Sequence, residues 1–306
     1  MGTILALTAA VLYGSADFLG GAAARRARPI SVLAVTTTAG AAVVVLTALF
    51  IGLAAIGGHG PSALTSLGGR AGLGWGVAGG VAGVSGLLLF YLGFSVAPMS
   101  VVAPVSALAS TLLPLGVAVA QGERLSPAVI AGGLICLAAV VLVSLERRPD
   151  GAAGGRSPAY RLRGLGYGLA SGVMFGLFFL FLRNAGTSGV LWPVAIARTT
   201  GAVLACCVVL LARGPRGRAR FGAAGPGGGL RAVLPIALAS GAVDASANVC
   251  YVLATRDGLF GIAVVITALY PGMTVLLARF VLGERMRLIQ QIGLLLAGLG
   301  VILVTV

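Results

Sequence analysis

The 306 residues are 58% hydrophobic and only 9% charged, with 49 glycines and a mean hydropathy of +1.07, which excludes an ordinary soluble domain, where about 25% of residues are charged. The formal net charge of +14 comes from 21 basic residues, all arginine. They sit in short loops between apolar runs, without interleaved aromatics or a nucleic-acid motif, so the pattern excludes nucleic acid as a partner and points to membrane lipid.

A bilayer core about 30 Å thick takes roughly 20 apolar helical residues per crossing. On that measure the chain is predicted to be an all-α polytopic membrane protein with ten spans, near 3–23, 31–56, 72–94, 99–120, 126–145, 164–182, 190–212, 232–254, 259–281 and 287–305. The first span lacks a basic start and a small-residue cleavage site, so it is expected to stay as a helix and not be removed as a signal peptide. It carries Asp17 on one face with Ala10, Tyr13, Gly14, Gly20, Gly21 and Ala24, at spacings of three and four. Small neighbours leave room for a substrate or water beside the carboxylate, about 12 Å from the span's end at Arg25. A charge in hydrocarbon costs about 2.5 to 3.5 kcal/mol on the insertion scale, so Asp17 is a functional candidate. The plainer alternative is a carboxylate hydrogen-bonded to a neighbouring helix.

Arg25, Arg26, Arg28 and Pro29 break the chain after the first span, and residues 57–61, with the sole histidine His59, after the second. Ala97-Pro98 divides the third span from the fourth, which closes on Gly122-Glu123-Arg124. A stretch rich in Arg, Gly and Pro then splits the chain into a five-helix half over 1–145, a linker over 146–163 and a second five-helix half over 164–306. The seventh span carries Arg198. In the eighth, Ser240, Asp244, Asn248, Tyr251 and Thr255 recur at spacings of four, four, three and four, a polar stripe that lipid cannot face cheaply. It must line a wet cavity or hydrogen-bond a neighbouring helix. Arg198 and Asp244 lie at similar depth, roughly 22 and 20 Å from the same membrane face, so a salt bridge is expected. Glu123, Asp257, Glu284, Arg183 and Arg279 sit at span ends and read as interfacial caps. Cys136, Cys206, Cys207 and Cys250 lie in apolar segments and read as reduced packing residues; no disulfide, metal or cofactor site is predicted.

The two halves resemble one another. Gly122-Glu123-Arg124 recurs 161 positions later as Gly283-Glu284-Arg285, and the same offset pairs Ala107-Leu108 with Ala268-Leu269 and Gly132 with Gly293. Tyr13-Gly14 matches Phe175-Gly176 at 162. With five spans per half, the second copy must lie upside down, the inverted-repeat plan of many secondary transporters. At offsets of 160 to 162, Asp17, Arg198 and Asp244 fall opposite Phe179, Thr36 and Val84, so a shared fold does not require the charges. Loops after spans 1, 5, 7 and 9 hold fifteen arginines and the opposite loops four, Arg70, Arg124, Arg183 and Arg256. This places the first set in the cytoplasm and both termini outside the inner membrane.

Tyr13-Gly14, the run from Ala103 to Leu108 that leads to Gly122-Glu123-Arg124, and Leu269-Tyr270-Pro271 followed by Gly283-Glu284-Arg285 and Gln291-Ile292-Gly293 resemble the EamA-type permeases of the drug/metabolite transporter superfamily. The resemblance covers both halves. It implies ten helices around a central cavity, alternating access, and substrates such as amino acids, sugars, nucleotide derivatives or drugs. One departure is Ser110 in the first half where the second has Pro271, so the two equivalent helices should kink differently. Tyr13, Asp17, Arg198, Ser240, Asp244, Asn248 and Tyr251 are the candidate substrate-binding residues, a set suited to a zwitterion such as an amino acid. Proton-coupled efflux of cationic drugs is the alternative, with protons as coupling ion; a channel or scaffold is a further one. A homodimer is compatible with such a chain, and nothing in the motifs suggests an enzyme.

Overall fold

The computed structural model describes residues 1–24, 26–56, 69–96, 99–122, 126–144, 158–185, 190–212, 229–257, 260–282 and 288–305. Among them the chain is helical, with α1 Gly2–Ala24, α2 Pro29–Ile56, α3 Gly69–Val96, α4 Met99–Ala120, α5 Pro127–Ser144, α6 Pro158–Ala185, α7 Leu191–Leu211, α8 Leu230–Asp257, α9 Phe260–Thr267, α10 Tyr270–Leu282 and α11 Leu288–Thr305. Each predicted span coincides with a helix, and the ninth is divided into α9 and α10. Six of the helices are long and apolar enough to cross a membrane. The chain is an all-α polytopic membrane protein. His59, the residues after Gly122 in the first triplet, the second triplet and most of the linker lie outside the described residues.

Local chemistry sets the ends. Pro29, Pro127 and Pro158 open α2, α5 and α6, where a residue without an N–H costs nothing. Gly122 follows α4 with φ of +88°, and its N–H bonds the Val119 carbonyl at 3.0 Å, the left-handed stop that glycine supplies. Pro271 breaks the ninth segment after Thr267, whereas α4, with Ser110 at the corresponding place, runs on unbroken. The two helices differ as the sequence leads one to expect.

The main packing pairs are α1 with α8, α3 with α6, α2 with α7 and α8, α3 with α7, α4 with α6, α5 with α11, and α1 with α9 and α10. Glycines let backbones meet. A Cβ at Gly80 of α3 would strike the Ala197 carbonyl and Thr200 of α7, and one at Gly241 of α8 would strike the Thr36 carbonyl and Ala39 of α2. These two contacts correspond residue by residue at an offset of 161. Gly40 against Gly241 and Ala245, and Gly201 against Gly80 and Val84, form a second such couple. At this register Arg198 and Asp244 fall opposite Thr37 and Gly83, one position from the Thr36 and Val84 read from sequence, because the helix contacts admit no gap between the two spans. The charges remain without counterparts. Away from these contacts, Ile4, Leu46, Phe50, Leu134, Leu169, Leu210 and Leu295 are exposed, a surface that hydrocarbon solvates and water does not.

Candidate functional site

The polar stripe of α8 faces protein. Ser240, Asn248 and Tyr251 are buried, and Asp244 and Thr255 are half-buried. Arg198 of α7 reaches across to Asp244, with Nη2 2.5 Å from Oδ2 and 3.4 Å from the Asp244 carbonyl. The side chains are 14% and 32% exposed, so the pair is sheltered without being sealed. The Arg198 guanidinium also lies 5.9 Å from the Phe178 ring, and its Nε is buried without a hydrogen-bond partner.

From Asp244 a chain of bonds runs into α1. Asn248 Nδ2 donates to the Asp244 carbonyl, and Asn248 Oδ1 accepts from the Tyr13 hydroxyl at 2.8 Å. Ser240 donates to the Ala16 carbonyl at 2.8 Å. The Tyr251 hydroxyl faces the Phe179 carbonyl at 3.5 Å, and their rings tilt together at 4.8 Å. Tyr13 meets Phe179 and Tyr270 edge to face at 5.8 and 6.5 Å. Five of the seven candidate residues thus form one connected cluster between α1, α7 and α8, with α6 and the ninth-segment break as its wall, and Ser240 separately ties α8 to α1.

Asp17, the seventh, stands differently. On α1 the exposed Ile4, Leu7 and Val11 form the outer row, while Ala6, Ala10 and Tyr13 form a buried row on the opposite side. Asp17 continues the buried row at helical spacing, and yet it is exposed. The Asp244 and Tyr270 side chains lie within electrostatic range. Around nearby Gly21 there is nothing within 4 Å. Asp17 is thus an accessible carboxylate on the inward row of α1, beside open space at Gly21. Among the described residues it has no hydrogen-bond or ion-pair partner.

Sequence reasoning did not place four contributors at the site, although it read Arg183 as an interfacial cap and Tyr270 as part of a motif. Phe179 and Tyr270 supply the aromatic wall, and Gln121 and Arg183 close one end of the bundle. Arg183 Nη1 donates to Gln121 Oε1 at 2.9 Å, and its guanidinium sits 4.2 Å over the Phe260 ring, tying α6 to α4 and α9. At that end packing is dense: in α9, Phe260, Gly261 and 263–267 are buried. In α7 the burial is concentrated in Leu191, Pro193, Val194, Ala195 and Ala197, with only Gly201, Ala202 and Ala205 beyond.

Residues 162–306 match the model of the EamA-like transporter family. A solved structure titled only "Crystal structure of protein" superposes with a TM-score of 0.73 at 22% identity, covering 99% of this chain and 96% of the other. That likeness establishes a shared fold over nearly the whole chain. No curated protein matches the chain. The resemblance to EamA-type permeases is thus met over the second half: this is a multi-pass membrane protein whose residues 162–306 are similar to the EamA-like transporter family.

Proposed function

We propose that the protein is a secondary transporter that exports a small polar or amphipathic metabolite bearing an amino group, such as an amino acid, by alternating access across the inner membrane. The observation that carries this reading is Asp17, an accessible carboxylate without an ion-pair partner among the described residues, set on the inward row of α1. A substrate ammonium would complete the charge there, with Tyr13, Phe179 and Tyr270 offering ring faces close by. Arg198 is bound to Asp244 through one terminal nitrogen, and a substrate carboxylate would be drawn to the remaining edge of the guanidinium. Dense packing at the Arg183 end supports a state closed on that side and reached from the arginine-rich end, one of the two states that alternating access needs.

The runner-up is proton-coupled efflux of organic cations, which the same carboxylate and rings would suit. Substrate charge separates the two. In proteoliposomes loaded with labelled amino acids or with a quaternary ammonium compound, with and without a pH gradient, the leading reading expects amino-acid flux. Asp17→Asn, which keeps shape and removes charge, should retain abundance and lower that flux at least tenfold. Flux of the quaternary compound alone would favour the runner-up. Undiminished flux in Asp17→Asn would return the residue to a structural role.

A further inference from the structure

At the break in the ninth segment lies a small space of about 10 Å³, room for one water-sized body. Ser110 and Thr111 of α4, Tyr251 of α8, and Thr267 and Tyr270 on either side of the break are among its lining residues. Thr267 is 2% exposed, and its Oγ1 has no hydrogen-bond partner. That is unusual, because helical hydroxyls normally donate to a carbonyl three or four residues back, as Thr37, Thr47 and Thr111 do in this chain. The Thr267 carbonyl also loses its usual helical donor: the residue four positions on is Pro271, which has no N–H to give it.

Oxygen lone pairs are thus available around the space. Ser110 and Thr111 both donate to the Ala107 carbonyl, at 2.9 and 2.8 Å, which leaves their lone pairs for another partner. The C-terminal end of α9 adds the negative end of a helix dipole. Of the lining residues, Tyr270 lies within electrostatic range of the Asp17 carboxylate and Tyr251 within that of the Arg183 guanidinium. Unwound carbonyls and half-helix C-termini are the parts from which membrane proteins build cation sites.

We propose that the break in the ninth segment binds a monovalent cation of Na⁺ size, held by the Thr267 hydroxyl and carbonyl together with the Ser110 and Thr111 hydroxyls. A water molecule would fit the same volume, but the Ser110 and Thr111 oxygens, whose protons are already given to the Ala107 carbonyl, and the C-terminal end of α9 favour a cation. The full chain, purified in detergent without substrate, tests this by thermal unfolding in choline chloride exchanged for NaCl or KCl at constant ionic strength. Na⁺ should raise Tm saturably, by about 2–4 °C, and K⁺ should not. Thr267→Val, of the same shape, should lose the Na⁺ response while unfolding in choline no lower than the parent, because the hydroxyl it removes is unsatisfied. Should that variant fail to fold, Ser110→Ala carries the test and should weaken the response. Equal Tm of the parent in all three salts overturns the site and leaves water as its occupant. So does a Na⁺ response undiminished in the folded variants. Because no transport is read, failure here leaves the proposed function standing, and failure of that function leaves the site standing.

Discussion

Asp244 is bound from two sides: its carboxylate takes Arg198, and its backbone carbonyl accepts from Asn248. Removing either charge strands the other in a sheltered place. Breaking a fully buried pair costs about 3–5 kcal/mol; with Asp244 at 32% exposure solvent screens part of this, and a loss on the order of 2 kcal/mol is expected. Arg198→Ala and Asp244→Ala should each lower folded yield in fluorescence-detected gel filtration, and the double variant should recover most of it. Simple additivity of the two losses would falsify a coupled pair. This contact was legible in the sequence, because charges are so scarce in the spans that two at matched depth have few other partners. The bond from Tyr13 to Asn248 was not, although both residues were singled out, since it depends on how α1 rotates against α8. Phe179 and Tyr270 escaped as site residues for a different reason. An aromatic ring in an apolar run reads alike whether it faces lipid or a cavity, and only the tertiary packing separates the two.

Helices approach one another where glycine allows it, and this sets a test of the packing. At Gly241 an added Cβ would run into the Thr36 carbonyl oxygen, part of a backbone that cannot swing aside as a flexible side chain would. Gly241→Ala should destabilise by about 1–3 kcal/mol, the usual cost of overpacking. Gly80→Ala, which meets the Ala197 carbonyl in the corresponding contact, should behave alike. Gly21→Ala, with nothing within 4 Å, serves as control and should leave Tm unchanged. A Gly241→Ala protein as stable as the Gly21→Ala control would show that α2 and α8 are less closely packed than described. Span positions were readable from hydropathy, and the break in the ninth segment was foreshadowed by Pro271 standing where the first half has Ser110. Which glycines carry close contacts was not readable, because 49 of them are scattered through every segment.

For the molecule as a whole, exchanging each span with the one five places on maps the packing pairs onto one another: α1 with α8 becomes α6 with α3, and α2 with α8 becomes α7 with α3. Together with the glycine contacts at an offset of 161, this supports the proposal of two five-helix units related by a pseudo-two-fold axis. An odd number of spans per unit then requires opposite insertion of the two halves, and arginine placement decides which end of the bundle faces the cytoplasm. The fifteen arginines read from sequence at one end, against four at the other, favour the proposal that the linker, which gives way to α6 at Pro158, lies inside. Topology can be read without knowing the substrate. In a background with Cys136, Cys206, Cys207 and Cys250 replaced by alanine, Ser157→Cys places a single thiol in that linker. A membrane-impermeant maleimide should leave it unmodified in intact cells and modify it after lysis. A cysteine replacing Arg256, at the opposite end of α8, should react in intact cells. The reverse pattern would turn the molecule over, moving its densely packed Arg183 end to the cytoplasm and reversing the side from which Asp17 is reached.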